Sequence, residues 1–212
     1  VDGGVRNITS SVGVGTIGTL IIDGATSVTS LNSGSLNINS KVSTILNNYI
    51  NFGTNLTTIN GKLIVKPNGT ATSSPIYSGS STILEYNTTG STGTPHQVAQ
   101  EWSGDIAGTT NHTFATGAGI PQTVNLVGSV IHLYSGEITT SALNIDATST
   151  LNLNNVANYN DLKLFGNLVN NGIIVANNRI VIFQGATAQT ITGVDTAFGN
   201  IKINKEILLQ PI

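Results

Sequence analysis

Apolar residues recur at every second position in runs of three to five residues along this chain. A period of two predicts short β-strands. The runs include LIID at Leu20, LNIN at Leu36, KLIVK at Lys62, TILEY ending at Tyr86 and VIHLY at Val130. LNID at Leu143, LNLNN from Leu151, LKLF from Leu162, IIV from Ile173, RIVIF from Arg179 and IKIN from Ile201 continue the series. Gly, Asn, Ser or Thr fills almost every gap. Alternate residues of a strand face one side, so Leu151 and Leu153 are expected inward, with Asn152 and Asn154 outward.

Helix formers never accumulate over three turns. VSTILNNYI from Val42 has the most mixed spacing, and its β-branched residues and Asn pair favour strand or turn. In the last third, apolar pairs fall at Ile131/Leu133, Leu143/Ile145, Leu151/Leu153, Leu162/Leu164, Ile173/Val175, Ile180/Ile182 and Ile201/Ile203. Two or three such strands would close one turn of a solenoid, a repeat of roughly 20–30 residues. An antiparallel β-sandwich gives similar strand spacing and is the alternative. Turn chemistry favours the solenoid. Sandwich hairpins use two-residue Asn-Gly or Asp-Gly turns with charged edges. Here the corners are rich in Asn, and stacked Asn and Thr can bond from rung to rung. The expectation is all-β: a right-handed parallel β-helix (β-solenoid) forming one domain over residues 1–212. An irregular insertion protrudes from it at about residues 79–127, where Pro95, Pro121, His96, His112 and Trp102 interrupt the pattern.

Composition narrows the function. Only 8 % of the 212 residues are charged, against roughly 25 % in an ordinary soluble domain. Polarity comes from Ser, Thr, Asn and Gly instead. Eight Lys and Arg against ten Asp and Glu leave no clustered positive charge for nucleic acid and no polybasic patch for a membrane. No apolar stretch reaches membrane-spanning length. The lack of Cys excludes disulfides, Cys-based zinc sites and thiol chemistry. With 39 % apolar residues in alternating runs, the chain is no flexible linker. It begins at Val1 without a leader-like segment, which reads as a fragment or processed product of a longer protein.

Two stretches carry a resemblance. STILEYNTTG, AQEWSG and GIPQTVNLV resemble a "tLiYn…EWs…P.nV.i" module of large secreted proteins from Bacteroidetes-type bacteria. GNLVNNGIIVANNRIVIFQGATAQTITG followed by TAFGNIKINK is similar to a repeat of the same proteins, through Asn167, Asn170, Asn171, Gly172, Phe183, Gly185, Gln189, Ile191, Gly193, Phe198, Ile201 and Asn204. The likeness covers roughly half to two thirds of the chain. It implies type 9 secretion cargo, predicted β-helical and often adhesin-like, placed at the cell surface or outside the cell. It supplies no catalytic residues.

Glu101 and Asp105 flank Trp102, a pairing of carboxylates with an aromatic platform that suits a sugar-binding or glycan-cleaving groove. The plainer reading has Trp102 packing beneath a loop. No Asp-rich calcium loop occurs. His96, His112 and His132 lack metal-ligand spacing, and His132 is expected on the outer face of its strand. No Gly-rich phosphate loop or serine elbow is present. The Thr clusters at Thr70 and Thr148 are too irregular for a flat Thr array. Asn-x-Ser/Thr sequons at Asn7, Asn55, Asn68, Asn87 and Asn111 follow from composition. Asp195-Thr196-Ala197 resembles the short Bacteroidetes O-glycosylation motif, making Thr196 a candidate modification site. The expected role is thus a stalk, spacer or adhesive segment without catalysis, cofactor or metal. Its expected partners are flanking segments of the same polypeptide, adjacent copies, or surface glycans. The alternative is a carbohydrate-binding or carbohydrate-cleaving module centred on Glu101, Trp102 and Asp105.

Overall fold

A computed structural model describes residues 18–23, 29–30, 36–38, 40–53, 57–89, 95–103, 114–133, 137–153 and 161–205. The strands are numbered β1 to β22 in chain order, and no helix accompanies them among the described residues. One long sheet holds eight strands in the order β1 (Gly18–Ile22), β4 (Val42–Leu46), β7 (Lys62–Val65), β10 (Ile83–Tyr86), β12 (Thr123–Leu126), β15 (Ala142–Ile145), β18 (Leu168–Asn170) and β21 (Ile191–Gly193).

A second face is split into β2 (Thr29–Ser30), β5 (Tyr49–Asn51) and β8 (Thr70–Ser73), then β11 (His96–Gln97), β13 (Val130–His132), β16 (Thr150–Asn152) and β19 (Ile173–Val175). A third face is split likewise into β3 (Leu36–Ile38), β6 (Thr57–Ile59) and β9 (Ile76–Tyr77), then β14 (Ile138–Thr140), β17 (Leu162–Leu164), β20 (Ile180–Gly185) and β22 (Asn200–Lys205). Every pairing between these strands is parallel, and the chain visits the long sheet, the second face and the third face in turn, except that β12 follows β11 and β22 follows β21 with one face passed over among the described strands. This is a parallel β-solenoid of about seven turns. The expected fold class is therefore the observed one.

Parallel in-register stacking places like residues over like. Inside the long sheet one column runs Leu63, Leu84, Val124, Leu143, Leu168, and beside it runs Leu46, Val65, Tyr86, Leu126, Ile145. All ten are fully buried. Full burial of one aliphatic side chain is worth about 1.5–3 kcal/mol, so these columns are the main source of stability. Leu143 pairs with Leu168 and Leu168 with Ile191, turns of 25 and 23 residues.

The corners follow the polar residues. Asn177 and Asn178 close the turn after β19 with φ of 49° and 59°, a left-handed conformation that Asn tolerates better than most residues. Gly69 lies so close to the rung before it that a Cβ would fall 2.1 Å from the Leu46 carbonyl oxygen. Asn side chains also bond between rungs: Asn60 donates to Asn37 at 2.5 Å and Asn144 to Asn125 at 2.8 Å. On the second face Asn177 donates to Asn152, whose own Nδ2 lies 3.0 Å from His132 Nε2. His132 thus sits on the outer face, as its alternation with Ile131 and Leu133 requires.

The middle of the chain is more regular than its composition suggests. Within the expected insertion at about residues 79–127, β10 and β12 are neighbouring strands of the long sheet. The departure from the repeat falls between them: Ile83 pairs with Thr123, 40 residues on, whereas Thr123 pairs with Ala142 only 19 residues on.

Candidate functional site

The two split faces are both interrupted at this enlarged turn. β8 is not paired with β11, nor β9 with β14, so backbone groups on either side of the break need other partners. The segment 95–103 supplies them on the second face. Gln100 N–H donates to Ala71 O at 3.2 Å, and Ala71 N–H donates to the Glu101 carboxylate at 3.2 Å. The other carboxylate oxygen accepts Ala99 N–H at 3.0 Å and the Tyr86 hydroxyl at 3.3 Å, with His96 Nε2 at 3.5 Å. On the third face Tyr77 N–H donates to Gly117 O, and Gly119 N–H to Pro75 O. A short antiparallel bridge joins Ile76 and Ala118.

Glu101 and Trp102 are both fully buried. The Trp102 indole N–H donates to Thr139 O at 3.0 Å, tying the enlarged turn to the start of the upper third face. Its ring lies 6.2 Å from that of Tyr86, which lies 5.3 Å from the ring of buried His96. The Tyr77 hydroxyl donates to the Glu101 backbone carbonyl at 2.8 Å. Burial pushes the Tyr77 and Tyr86 hydroxyls well above the ordinary tyrosine range, and the nearby Glu101 charge adds to this. Both hydroxyls therefore remain protonated donors. A buried carboxylate is tolerated only when its oxygens are satisfied, and here backbone N–H groups and a tyrosine do so.

This arrangement can do little chemically. Glu101 and Trp102 come together as the sequence suggested, but inside the protein, where neither forms a platform for a sugar. Asp105 and His112 lie outside the described residues. His96 faces the core and His132 the outer face. No group of three or more His, Asp or Glu that could hold a metal occurs among the described residues. Thr196 is half-buried, and its hydroxyl accepts from Asn170 at 2.9 Å and donates to Val194 O at 3.2 Å.

The partners of Glu101 were not read from the sequence. Tyr86 had a usable signal, since it falls in the inward phase of TILEY. Ala71 and Ala99 had none, because they contribute only backbone N–H groups. Compared with protein-family models, curated proteins and solved structures, the chain matches none.

Proposed function

We propose that this chain is a non-catalytic stalk, spacer or adhesive segment of a bacterial cell-surface or secreted protein. The observation that carries this reading is that the described polar side chains bond to the stack itself. The Glu101 acid caps backbone N–H groups, and outer Asn and His side chains bond between neighbouring rungs instead of converging on an open groove. Such a stack suits a rigid element whose partners are flanking segments of the same polypeptide, adjacent copies, or glycans met along its faces. Placement outside the cell rests on the low charge, with Ser, Thr and Asn supplying the polarity, and on the resemblance to secreted repeat proteins.

The competing glycan module needs Glu101 and Trp102 at a surface, and both are buried. The test is to incubate the purified chain with a panel of plant and bacterial polysaccharides and to measure reducing-end release. No release is expected. Release that disappears on Glu101→Gln, in a variant shown to remain folded, would sink the proposal.

A further inference from the structure

Three polar side chains on the second face form a run of hydrogen bonds whose direction is fixed at one end. Asn177 stands at the corner after β19, where a φ of 49° holds its backbone in the left-handed region. Its Nδ2 group donates to the Leu153 carbonyl and to Asn152 Oδ1, the latter at 2.5 Å. The Leu153 carbonyl carries no proton, so turning the Asn177 amide over would set oxygen against oxygen. The Asn152 amide is fixed in turn, with Oδ1 toward Asn177 and Nδ2 toward His132 Nε2 at 3.0 Å. An amide nitrogen only donates, so Nε2 of His132 has to accept. The imidazole is therefore neutral, with its proton on Nδ1.

These bonds join neighbouring rungs, since β13 pairs with β16 and β16 with β19. The strands of this face, β11, β13, β16 and β19, hold no Asp, Glu, Lys or Arg. Their other titratable group, His96, points inward to Glu101. Charged groups at the adjoining corners are engaged elsewhere. Asp146 takes bonds from Ser149, Gly128 and Thr148, Asp161 accepts the Ile180 N–H, and Glu137 pairs with Lys163. Arg179, two residues beyond Asn177, stays cationic throughout. Among the described residues no carboxylate is paired with the His132 ring.

We propose that this run of side chains is an acid-sensitive clasp on the second face. Histidine takes up its second ring proton between about pH 8 and pH 5. Here that proton would arrive on Nε2, where it meets the hydrogens of Asn152 Nδ2. Donor then faces donor, and Asn152 cannot turn over while Asn177 and the Leu153 carbonyl hold it. The bond between His132 and Asn152 is present while the imidazole is neutral and is lost as it charges. The buried column Ile131, Leu151, Ile174 behind it carries no charge and stays in place, so acid loosens the outside of this face without opening the core. The inference comes from hydrogen-bond direction and holds whether or not the segment is adhesive.

The test is nuclear magnetic resonance of the isotope-labelled full chain. Long-range proton–nitrogen correlation spectra distinguish the protonated ring nitrogen from the bare one, and His132→Gln identifies the signals of His132. At neutral pH the Nδ1–H form is expected. Asn177→Gly suits the left-handed corner and deletes the anchoring amide, so it should shift His132 toward the Nε2–H form. Asn178→Gly at the next position, also left-handed, should not. On acidification the side-chain amide signals of Asn152 and Asn177 should move together with the His132 ring in a single titration. A bare Nδ1 at neutral pH in the parent protein overturns the proposal, and so do Asn152 and Asn177 signals that do not follow His132. Both of these readings come from the parent chain and stand even if a variant fails to fold.

Discussion

Glu101 accepts the backbone N–H of Ala71 through its side chain at 3.2 Å, on the side of β8 opposite β5, where no strand is paired with it. Glu101→Ala would strip an acceptor from Ala71 N–H, Ala99 N–H and the Tyr86 hydroxyl together. Orphaned buried donors and a cavity should lower stability by about 3–5 kcal/mol. Glu101→Gln keeps the shape and one acceptor oxygen, and should lower it by about 1–3 kcal/mol. Urea denaturation followed by circular dichroism checks both values and their order.

Trp102 is the sole tryptophan, so its fluorescence reports on the enlarged turn alone. Its burial predicts blue-shifted emission and poor quenching by iodide in the folded protein. Trp102→Ala should lower stability by about 3–5 kcal/mol through the cavity it leaves. Emission at the position of free tryptophan under native conditions would contradict the buried placement.

Glycines divide by what surrounds them. Gly69→Ala would drive a methyl into the Leu46 carbonyl oxygen, and overpacking of this kind costs about 1–3 kcal/mol. Gly117 has nothing within 4 Å of its would-be Cβ and no left-handed φ, so Gly117→Ala should be neutral or slightly stabilising. Thermal melting of the two variants gives the comparison.

Asp146 sets an acid limit. Burial raises its pKa somewhat, but hydrogen bonds from Ser149, Gly128 and Thr148 outweigh this and hold the carboxyl below its ordinary range. A pKa lowered by folding contributes stability that is present above the unfolded-state pKa and is lost as pH falls through the folded-state value. Asp146→Asn should therefore be less stable than the parent at neutral pH, with the gap closing in acid. Urea midpoints across a pH series measure it, and a gap that widens in acid would contradict the assignment.

The sequence revealed the fold wherever polar residues separated the apolar ones. Leu151 and Leu153, with Asn152 between them, point inward as expected. Register was lost where apolar residues ran together. In Ile173-Ile174-Val175 the expected inward pair was Ile173 and Val175, yet Ile174 is buried while Ile173 is 59 % exposed. Likewise Val181 and Phe183, not Ile180 and Ile182, continue the inner columns of the third face. A run apolar on both phases carries no period, and a one-residue slip reverses every side chain. The site at the enlarged turn was hidden for another reason. Charged side chains are seldom fully buried, and what permits it for Glu101 is backbone from residues 30 positions away, which no local pattern encodes.

Tension applied along the axis would be borne unequally. Most turns are joined to the next through backbone ladders on more than one face, but at the enlarged turn the long sheet alone continues among the described strands, through the pairings of β10 with β7 and β12. The remaining load there passes through a few isolated backbone bonds, Gln100 to Ala71 and Tyr77 to Gly117 among them, and through the side chains of Glu101 and Trp102. Under a steady pull the molecule would yield first at this level, parting into two stacks that each keep their own ladders.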